Sequence, residues 1–180
     1  MQRDPAAKRY AQAAFELARD RGELEVWERD LGLLADALAS AEARAFVASR
    51  QVRAAAKEAF LRQAAGDLSP LVGNLVRLLS ARGRLALLPQ IGERFQALLD
   101  DHRGVAHAQV VTAVAMSDEE RQALARRLSE LTGKQVQVEA YEAPEILGGL
   151  VARIGDRLID GSTRSKLLAL KRRLAGATRG

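Results

Sequence analysis

The sequence contains no cysteine and only two histidines, and aromatic residues make up 4% of its 180 residues. Without cysteine the chain has no disulfide framework, no thiolate metal ligand and no cysteine nucleophile. His102 and His107 alone are too few for a histidine-rich metal site. No apolar run approaches the roughly 18 residues that a membrane-spanning helix requires, and the first residues lack the apolar core of an export signal. We therefore expect a soluble protein without an export signal or a membrane insertion.

Alanine and leucine dominate what is present, with 34 and 27 residues. Both are strong helix formers, so the composition argues against an all-β fold. The net charge of +5 arises from 23 arginines and 5 lysines against 23 acidic residues. Residues 161–180 carry six basic side chains and no acidic one. Such a segment suits an acidic protein, an anionic membrane surface or nucleic acid, and composition does not choose among them.

Capping and turn signals divide the first 104 residues into six predicted helices. Asp4-Pro5 reads as an N-cap followed by proline at the first helical position, and Gly22, Gly66 and Gly83 mark three helix ends. The predicted helices cover about residues 5–21, 24–38, 42–48, 52–65, 70–82 and 88–99. Short connections between short helices are typical of an antiparallel bundle.

The pattern changes after Gly104. Residues 105–115 carry no charge and predict a strand, and Ser117 with Glu120 forms a capping box that opens a helix ending at Gly133. Alternating residues predict strands at 136–138, 150–154 and 158–160, and a last helix covers about 163–174. The predicted fold class is α plus α+β: an N-terminal six-helix bundle over residues 1–104 and a small C-terminal α+β domain over residues 105–180.

Candidate catalytic groups are sparse, and each has a structural explanation. Asp156 and Asp160 flank a predicted hairpin, where aspartate is a common turn residue. His107 lies in an apolar strand without a second ligand nearby, and His102 suits the C-terminus of a helix because of the helix dipole. Ser162 could hold a phosphate at a helix N-terminus, which would suit a small enzyme. An ordinary N-cap explains it equally well.

The basic C-terminal helix raises a second alternative, a basic nucleic-acid-binding adaptor. Its leucines lie on one face and its cations on the other. No aromatic residue is interleaved with the charges, so the helix offers no platform for base stacking. A solvated face, or one that meets an acidic protein, explains the pattern better.

The first helix has more apolar surface than a one-sided contact needs. Its apolar side chains span roughly 200° of the helix, against about 100° for packing on one side. The shallow centre of that arc and its flank consist of Ala7, Ala11, Ala14 and Ala18 with Tyr10 and Leu17. The fifth helix is similarly apolar at Leu75, Leu78 and Leu79. Two such helices indicate either a groove that binds a partner helix or a central position of the two helices in the bundle. The sequence alone does not distinguish these interpretations.

These features resemble the delta subunit of bacterial F-type ATP synthases, the counterpart of the mitochondrial oligomycin-sensitivity-conferring protein. The resemblance covers nearly the whole chain and is most specific over residues 146–162. Ala143 and Ala152 depart from the family pattern, in which an acidic or amide residue and a larger aliphatic residue are usual. The matching segments are residues 9–18, Trp27, Leu31, 74–79, 82–85, 110–113, Ser117, 131–134, 146–156, 158–162 and 166–167.

The resemblance implies a non-catalytic stator subunit, without cofactor or metal, at the cytoplasmic face of the bacterial plasma membrane. It would link the catalytic head to the peripheral stalk, so that the head resists rotation during ATP synthesis. The N-terminal domain would bind the N-terminal helical segments of alpha subunits, and the C-terminal domain the ends of the b subunits. The implied alpha contacts are Ala7, Tyr10, Ala11, Ala14, Leu17, Ala18, Leu75, Leu78 and Leu79; the implied b contacts are Arg164, Lys166, Lys171, Arg172 and Arg173.

Overall fold

The computed structural model describes residues 4–143, 150–154 and 157–160, with side chains at 4–143 and 151–154. The chain divides into two compact units, Met1–Leu99 and Asp100–Gly180. The division falls before the predicted boundary at residues 104 and 105, inside a helix that continues to Arg103.

The described part of the first unit is helical. Its helices are α1 (Pro5–Arg21), α2 (Leu24–Ala37), α3 (Ala41–Ala48), α4 (Ala54–Ala65), α5 (Pro70–Ala81) and α6 (Leu88–Arg103), with a 3-10 turn at Leu85–Leu87 before α6. The start of each predicted helix lies within two residues of the observed start. The local signals used above are therefore sufficient to locate these elements.

Side-chain caps begin three of the helices. The carboxylate of Asp4 accepts the N–H of Ala6 at 2.8 Å, and the hydroxyl of Ser40 accepts the N–H of Ala43 at 3.0 Å. Ser69 opens α5 in the same way, ahead of Pro70. At the other end of α1, Gly22 adopts φ 67°, a left-handed conformation that a side chain disfavours. These signals fix where α1 and α5 begin and where α1 ends.

An aromatic cluster lies in the core of the first unit. The ring of Trp27 stacks on Phe95 with centroids 6.1 Å apart, and Phe15 meets Phe95 edge-on at 5.8 Å. These rings join α1, α2 and α6. Around them, Leu31 and Leu34 of α2 and Leu38 directly after it are exposed by 2% or less, as an amphipathic helix requires.

The second unit contains a four-stranded sheet of order β2-β1-β3-β4. Its described elements are β1 (Val105–Thr112), α7 (Asp118–Thr132), β2 (Gln135–Glu142), β3 (Leu150–Ile154) and β4 (Arg157–Asp160). β1 and β2 are parallel because α7 crosses over between them, and β3 and β4 pair antiparallel. Ser117 and Glu120 form the predicted capping box of α7.

One face of this sheet holds the described core of the second unit. Alternate residues of β1 and β2 point to the side of α7, where Val110, Val136 and Leu128 are buried. Ala152 pairs with Val110 and is fully buried. Its methyl group thus lies in the interior of this unit.

The predicted class, helices followed by an α+β unit, is confirmed by these elements. The predicted strand over 105–115 ends at Thr112, where the Thr112 hydroxyl donates to the carbonyl of Val114 at 2.8 Å and the chain turns. The predicted last helix, residues 163–174, lies outside the described residues.

Candidate partner-binding surfaces

The alanine strip of α1 is buried inside the first unit. Ala11 and Ala18 have no exposed surface, and Ala7 and Ala14 are exposed by only 2% and 4%. Small side chains permit this because neighbouring elements can approach α1 closely. Of the two interpretations left open above, the structure therefore favours the central position for this strip. The alanines are buried in this structure, and their contact with a partner helix stays a prediction.

Two of the three predicted contacts on α5 are buried as well. Leu79 is fully buried and Leu75 is 9% exposed. Both belong to the same core as the alanine strip. Leu75 keeps a small exposed area and Leu79 has none, and the contact of both residues with a partner stays a prediction.

Three predicted contacts do reach the surface. Leu17 on α1 is 38% exposed and Leu78 on α5 is 44% exposed, while Tyr10 is partly buried. Tyr10 lies two helical turns before Leu17 on the same side of α1. The structure thus shows Leu17 and Leu78 exposed on two helices whose buried residues belong to one core.

A hydrogen bond connects this side of α1 to the end of α5. The Arg84 guanidinium donates to the hydroxyl of Tyr10 at 3.5 Å. The backbone N–H of Arg84 in turn donates to the carbonyl of Leu79 at 2.8 Å. Arg84 therefore links the last turn of α5 to the middle of α1.

The start of α5 is held by a residue that the sequence analysis did not select. The carboxylate of Asp30 is fully buried and accepts the backbone N–H of Ser69 at 2.7 Å. It also accepts two hydrogen bonds from the guanidinium of Arg29, at 2.7 and 3.0 Å. Asp30 lies three residues after Trp27 and one before Leu31, within the apolar stripe of α2. An acidic residue within an apolar stripe is the sequence signal that indicates a buried, hydrogen-bonded carboxylate.

An open cleft of about 300 Å³ lies beside the start of α5. It runs between α4 and α5, and its wall combines two acidic residues, Glu58 and Asp67, with two basic residues, Arg62 and Arg77. The Arg77 guanidinium already bonds the side-chain oxygen of Asn74. Mixed charges in an open cleft give no preference for a ligand of either sign.

The structure places His102 in α6 and His107 in β1. Nε2 of His107 lies 3.3 Å from a carboxylate oxygen of Asp100, and His102 lies in the last turn of α6. Within residues 4–143, 150–154 and 157–160, no group of three or more His, Cys, Asp and Glu side chains could hold a metal ion. In the same part of the chain, no helix combines the length and the apolarity that a membrane crossing needs.

Several predicted residues fall outside the described residues. These are the b-subunit contacts Arg164, Lys166, Lys171, Arg172 and Arg173, together with Ser162 and Asp156. Asp160 is described only in its backbone, where it pairs with Val151 at the end of β4.

Comparison with known proteins identifies the family. A family model described as "ATP synthase delta (OSCP) subunit" matches residues 6–174. The chain therefore belongs to the ATP synthase delta (OSCP) family, whose members are structural and not catalytic subunits.

Curated bacterial relatives named "ATP synthase subunit delta" match along nearly their whole length. The protein of Dehalococcoides mccartyi strain BAV1 is 36% identical over 94% of this chain and 93% of its own. That of Methylobacillus flagellatus is 37% identical over 94% and 96%. A chain in the cryo-EM structure of the Toxoplasma gondii mitochondrial ATP synthase hexamer superposes with a TM-score of 0.75 at 25% identity. It covers 96% of this chain and 98% of its own length.

Proposed function

We propose that this chain is the stator connector of an F-type ATP synthase. In this role it links the catalytic head to the peripheral stalk at the cytoplasmic face of a bacterial plasma membrane, without inserting into the membrane. The proposal rests on membership in the delta family along nearly the whole chain. The nucleic-acid-binding alternative gains no support from the comparisons.

The mechanism is mechanical. Rotation of the central stalk applies torque to the head, and a connector resists that torque only if it is held at both ends. We propose that α1–α6 form a bundle that binds the N-terminal helical segments of alpha subunits. The second unit, with residues 105–180 as the binding domain, would hold the C-terminal ends of the b subunits. No bond-making group is needed for this task.

The exposed leucines of α1 and α5 carry the alpha-subunit contact. Leu17 and Leu78 are large, apolar and more than one third exposed, so a partner helix that covers them gains about 25 cal/mol for each Å² of apolar area buried. Tyr10 adds a ring with a polar tip. The alanines and Leu75 and Leu79 contribute indirectly, because their packing sets the spacing of the two helices.

Binding of an alpha-subunit N-terminal peptide tests this contact. We expect saturating peptide to shift amide signals in α1 and α5, and Leu17→Arg and Leu78→Arg each to weaken binding by about tenfold or more. Leu33→Arg is the matched control, because Leu33 is equally exposed at 38% but lies on α2. Unchanged binding by both variants, or an equal loss in the control, would contradict the assignment.

The cations of the predicted last helix carry the proposed b-subunit contact. They would steer and orient the acidic or polar ends of the b subunits more than anchor them. The combined variant Lys171→Glu, Arg172→Glu and Arg173→Glu should reduce co-purification with the b subunits. Charge reversal at Arg121, Arg126 and Arg127, exposed arginines of α7, is the control. If both triple variants co-purify equally, the predicted residues are wrong.

A further inference from the structure

β2 lies at one edge of the described sheet. β2 is the first strand in the order β2-β1-β3-β4, and among the described strands only β1 pairs with it. An unpaired edge presents a row of backbone N–H and C=O groups to any extended chain that approaches. β2 is eight residues long and contains no proline, the residue that commonly blocks an edge.

Hydrogen bonds at its two ends show which residues of β2 point outward. Gln135 donates its N–H to Gly104 at 2.9 Å, and Ala143 donates to Thr112 at 2.8 Å, both on the β1 side. Alternate residues of a strand point their backbone groups to opposite neighbours. The odd-numbered residues of β2 therefore bond β1, and the even-numbered residues face outward.

The first outward group is already occupied. The N–H of Val136 donates to the hydroxyl of Ser129 on α7 at 2.9 Å, and that hydroxyl also donates to the carbonyl of Ala125. This contact closes the edge at its beginning. No described residue bonds the outward groups of Val138, Ala140 and Glu142, in the second half of the strand.

The side chains beside this open half are acidic. Glu139 and Glu142 are exposed, and neither forms an ion pair with a described residue. The hydroxyl of Tyr141, a side chain 51% exposed, donates to a carboxylate oxygen of Glu139 at 3.1 Å. Two carboxylates that pair with no described cation thus lie beside backbone groups that no described residue bonds, and this combination suits an extended, cationic segment.

We propose that the outer edge of β2 binds an extended, cationic segment of a partner protein by strand addition at Val138–Glu142. Backbone hydrogen bonds to the three even-numbered residues supply the affinity, and cations opposite Glu139 and Glu142 select the segment. Apolar side chains of the segment lie beside Val138 and Tyr141. The proposal is independent of the alpha- and b-subunit contacts above.

Amide hydrogen exchange in the full-length free protein is the first test. We expect the N–H groups of Val138, Ala140 and Glu142 to exchange much faster than those of Gln137 and Glu139, which bond β1. Slow exchange of all five would show that the chain itself covers the edge, and would overturn the proposal.

The second test uses the capped peptide Lys-Val-Thr-Lys-Val, whose cations face both glutamates in an antiparallel pairing. Binding should protect the three outward amides. The peptide with both lysines replaced by glutamate should bind several-fold more weakly, and a version with N-methylated backbone should not bind. If the N-methylated peptide bound as tightly as the lysine peptide, the contact would be made by side chains and not by strand addition. If the acidic peptide bound as tightly, the glutamates would not select a cationic segment.

A single substitution separates the edge from the rest of the strand. Ala140→Pro removes an outward N–H without removing a bond to β1, and we expect at least about a fivefold loss of peptide affinity. Ala140→Ser keeps the N–H and should bind as the unchanged protein does. Equal peptide affinity in Ala140→Pro and Ala140→Ser contradicts the proposal. Concentration-dependent dimerisation through β2 would also contradict it, because a second copy of the chain would then occupy the edge. The amide NMR spectrum of each variant checks that the fold is retained.

Discussion

The backbone N–H of Ser69 donates a 2.7 Å hydrogen bond to the carboxylate of Asp30, a side chain with no exposed surface. The two residues are 39 positions apart, so the bond attaches the first residue before α5 to the middle of α2. A buried carboxylate is costly unless its oxygens are bonded, and Arg29 bonds the other oxygen. This small network fixes where α5, which carries Leu78, begins.

We predict that Asp30→Ala lowers the free energy of unfolding of the first unit by about 2–4 kcal/mol, because Ser69 N–H loses its acceptor and the site is buried. Asp30→Asn keeps an oxygen for Ser69 and should cost less. Urea unfolding followed by the fluorescence of Trp27, the single tryptophan, measures both. Asp20→Asn is the control, since Asp20 forms an exposed pair with Arg19. A loss no larger than in that control would refute the structural role of Asp30.

Because the alanine strip is buried, we predict that enlarging a residue of the strip destabilises the unit, whereas enlarging an exposed neighbour on α1 does not. Ala11→Leu adds three carbons where there is no exposed surface, and overpacking of this kind costs about 1–3 kcal/mol. Ala13→Leu, on the exposed side of the same helix, should change stability by less than about 0.5 kcal/mol. Thermal unfolding of the two variants compares them directly. Equal stability would mean that space for a larger side chain exists beside Ala11.

The local structure of this chain follows closely from its sequence, because the signals are short-range. Asp4-Pro5 and Ser69-Pro70 mark helix starts, and Ser117 with Glu120 forms the capping box that the spacing predicts. Each depends on residues within one helical turn. The end of β1 at Thr112, before the predicted residue 115, is an exception: the contact from the Thr112 hydroxyl to Val114 is also local, but it follows no recognised sequence pattern.

The exposed residues of the candidate site could not be predicted as completely as the helices, because exposure depends on contacts between helices. Periodicity shows that α1 has apolar residues around more than half of its surface, but not which neighbours cover them. The structure covers Ala11 and leaves Leu17 exposed. The contact of Asp30 with Ser69 spans two helices and has no local signature. The sequence thus selects α1 and α5 for the docking surface, which stays a prediction, and it does not show which of their residues are exposed.

The start of α7 should depend on pH through Glu120. Hydrogen bonding by the backbone N–H of Ser117, and to a smaller extent its hydroxyl, lowers the pKa of Glu120 from its ordinary value of 4.5. A carboxyl whose pKa is lower in the folded state stabilises the fold above its ordinary pKa. That contribution is lost as the pH falls through the lowered value.

We therefore expect the amide signal of Ser117 to titrate below pH 4.5, as protonation breaks the 2.9 Å bond from its N–H to Glu120. Glu120→Gln retains an acceptor without a charge, so its Ser117 signal should stay constant over the same range. Glu119→Gln, a change at an exposed neighbour, should leave the titration in place. A midpoint at or above the ordinary value would contradict the lowered pKa.

The described core of the second unit is small, so its stability should be sensitive to Leu128. This side chain is 4% exposed and packs on the sheet from α7, whereas Leu131, three residues later on the same helix, is 63% exposed. Leu128→Ala should lower the free energy of unfolding by about 2–5 kcal/mol, and Leu131→Ala by less than about 0.5 kcal/mol. Urea unfolding followed by the amide signals of β1 and β2 measures both variants. A comparable loss in Leu131→Ala would mean that Leu131 is covered in solution, either by another part of the chain or by a second molecule. Only cover by a second molecule would make the loss depend on protein concentration.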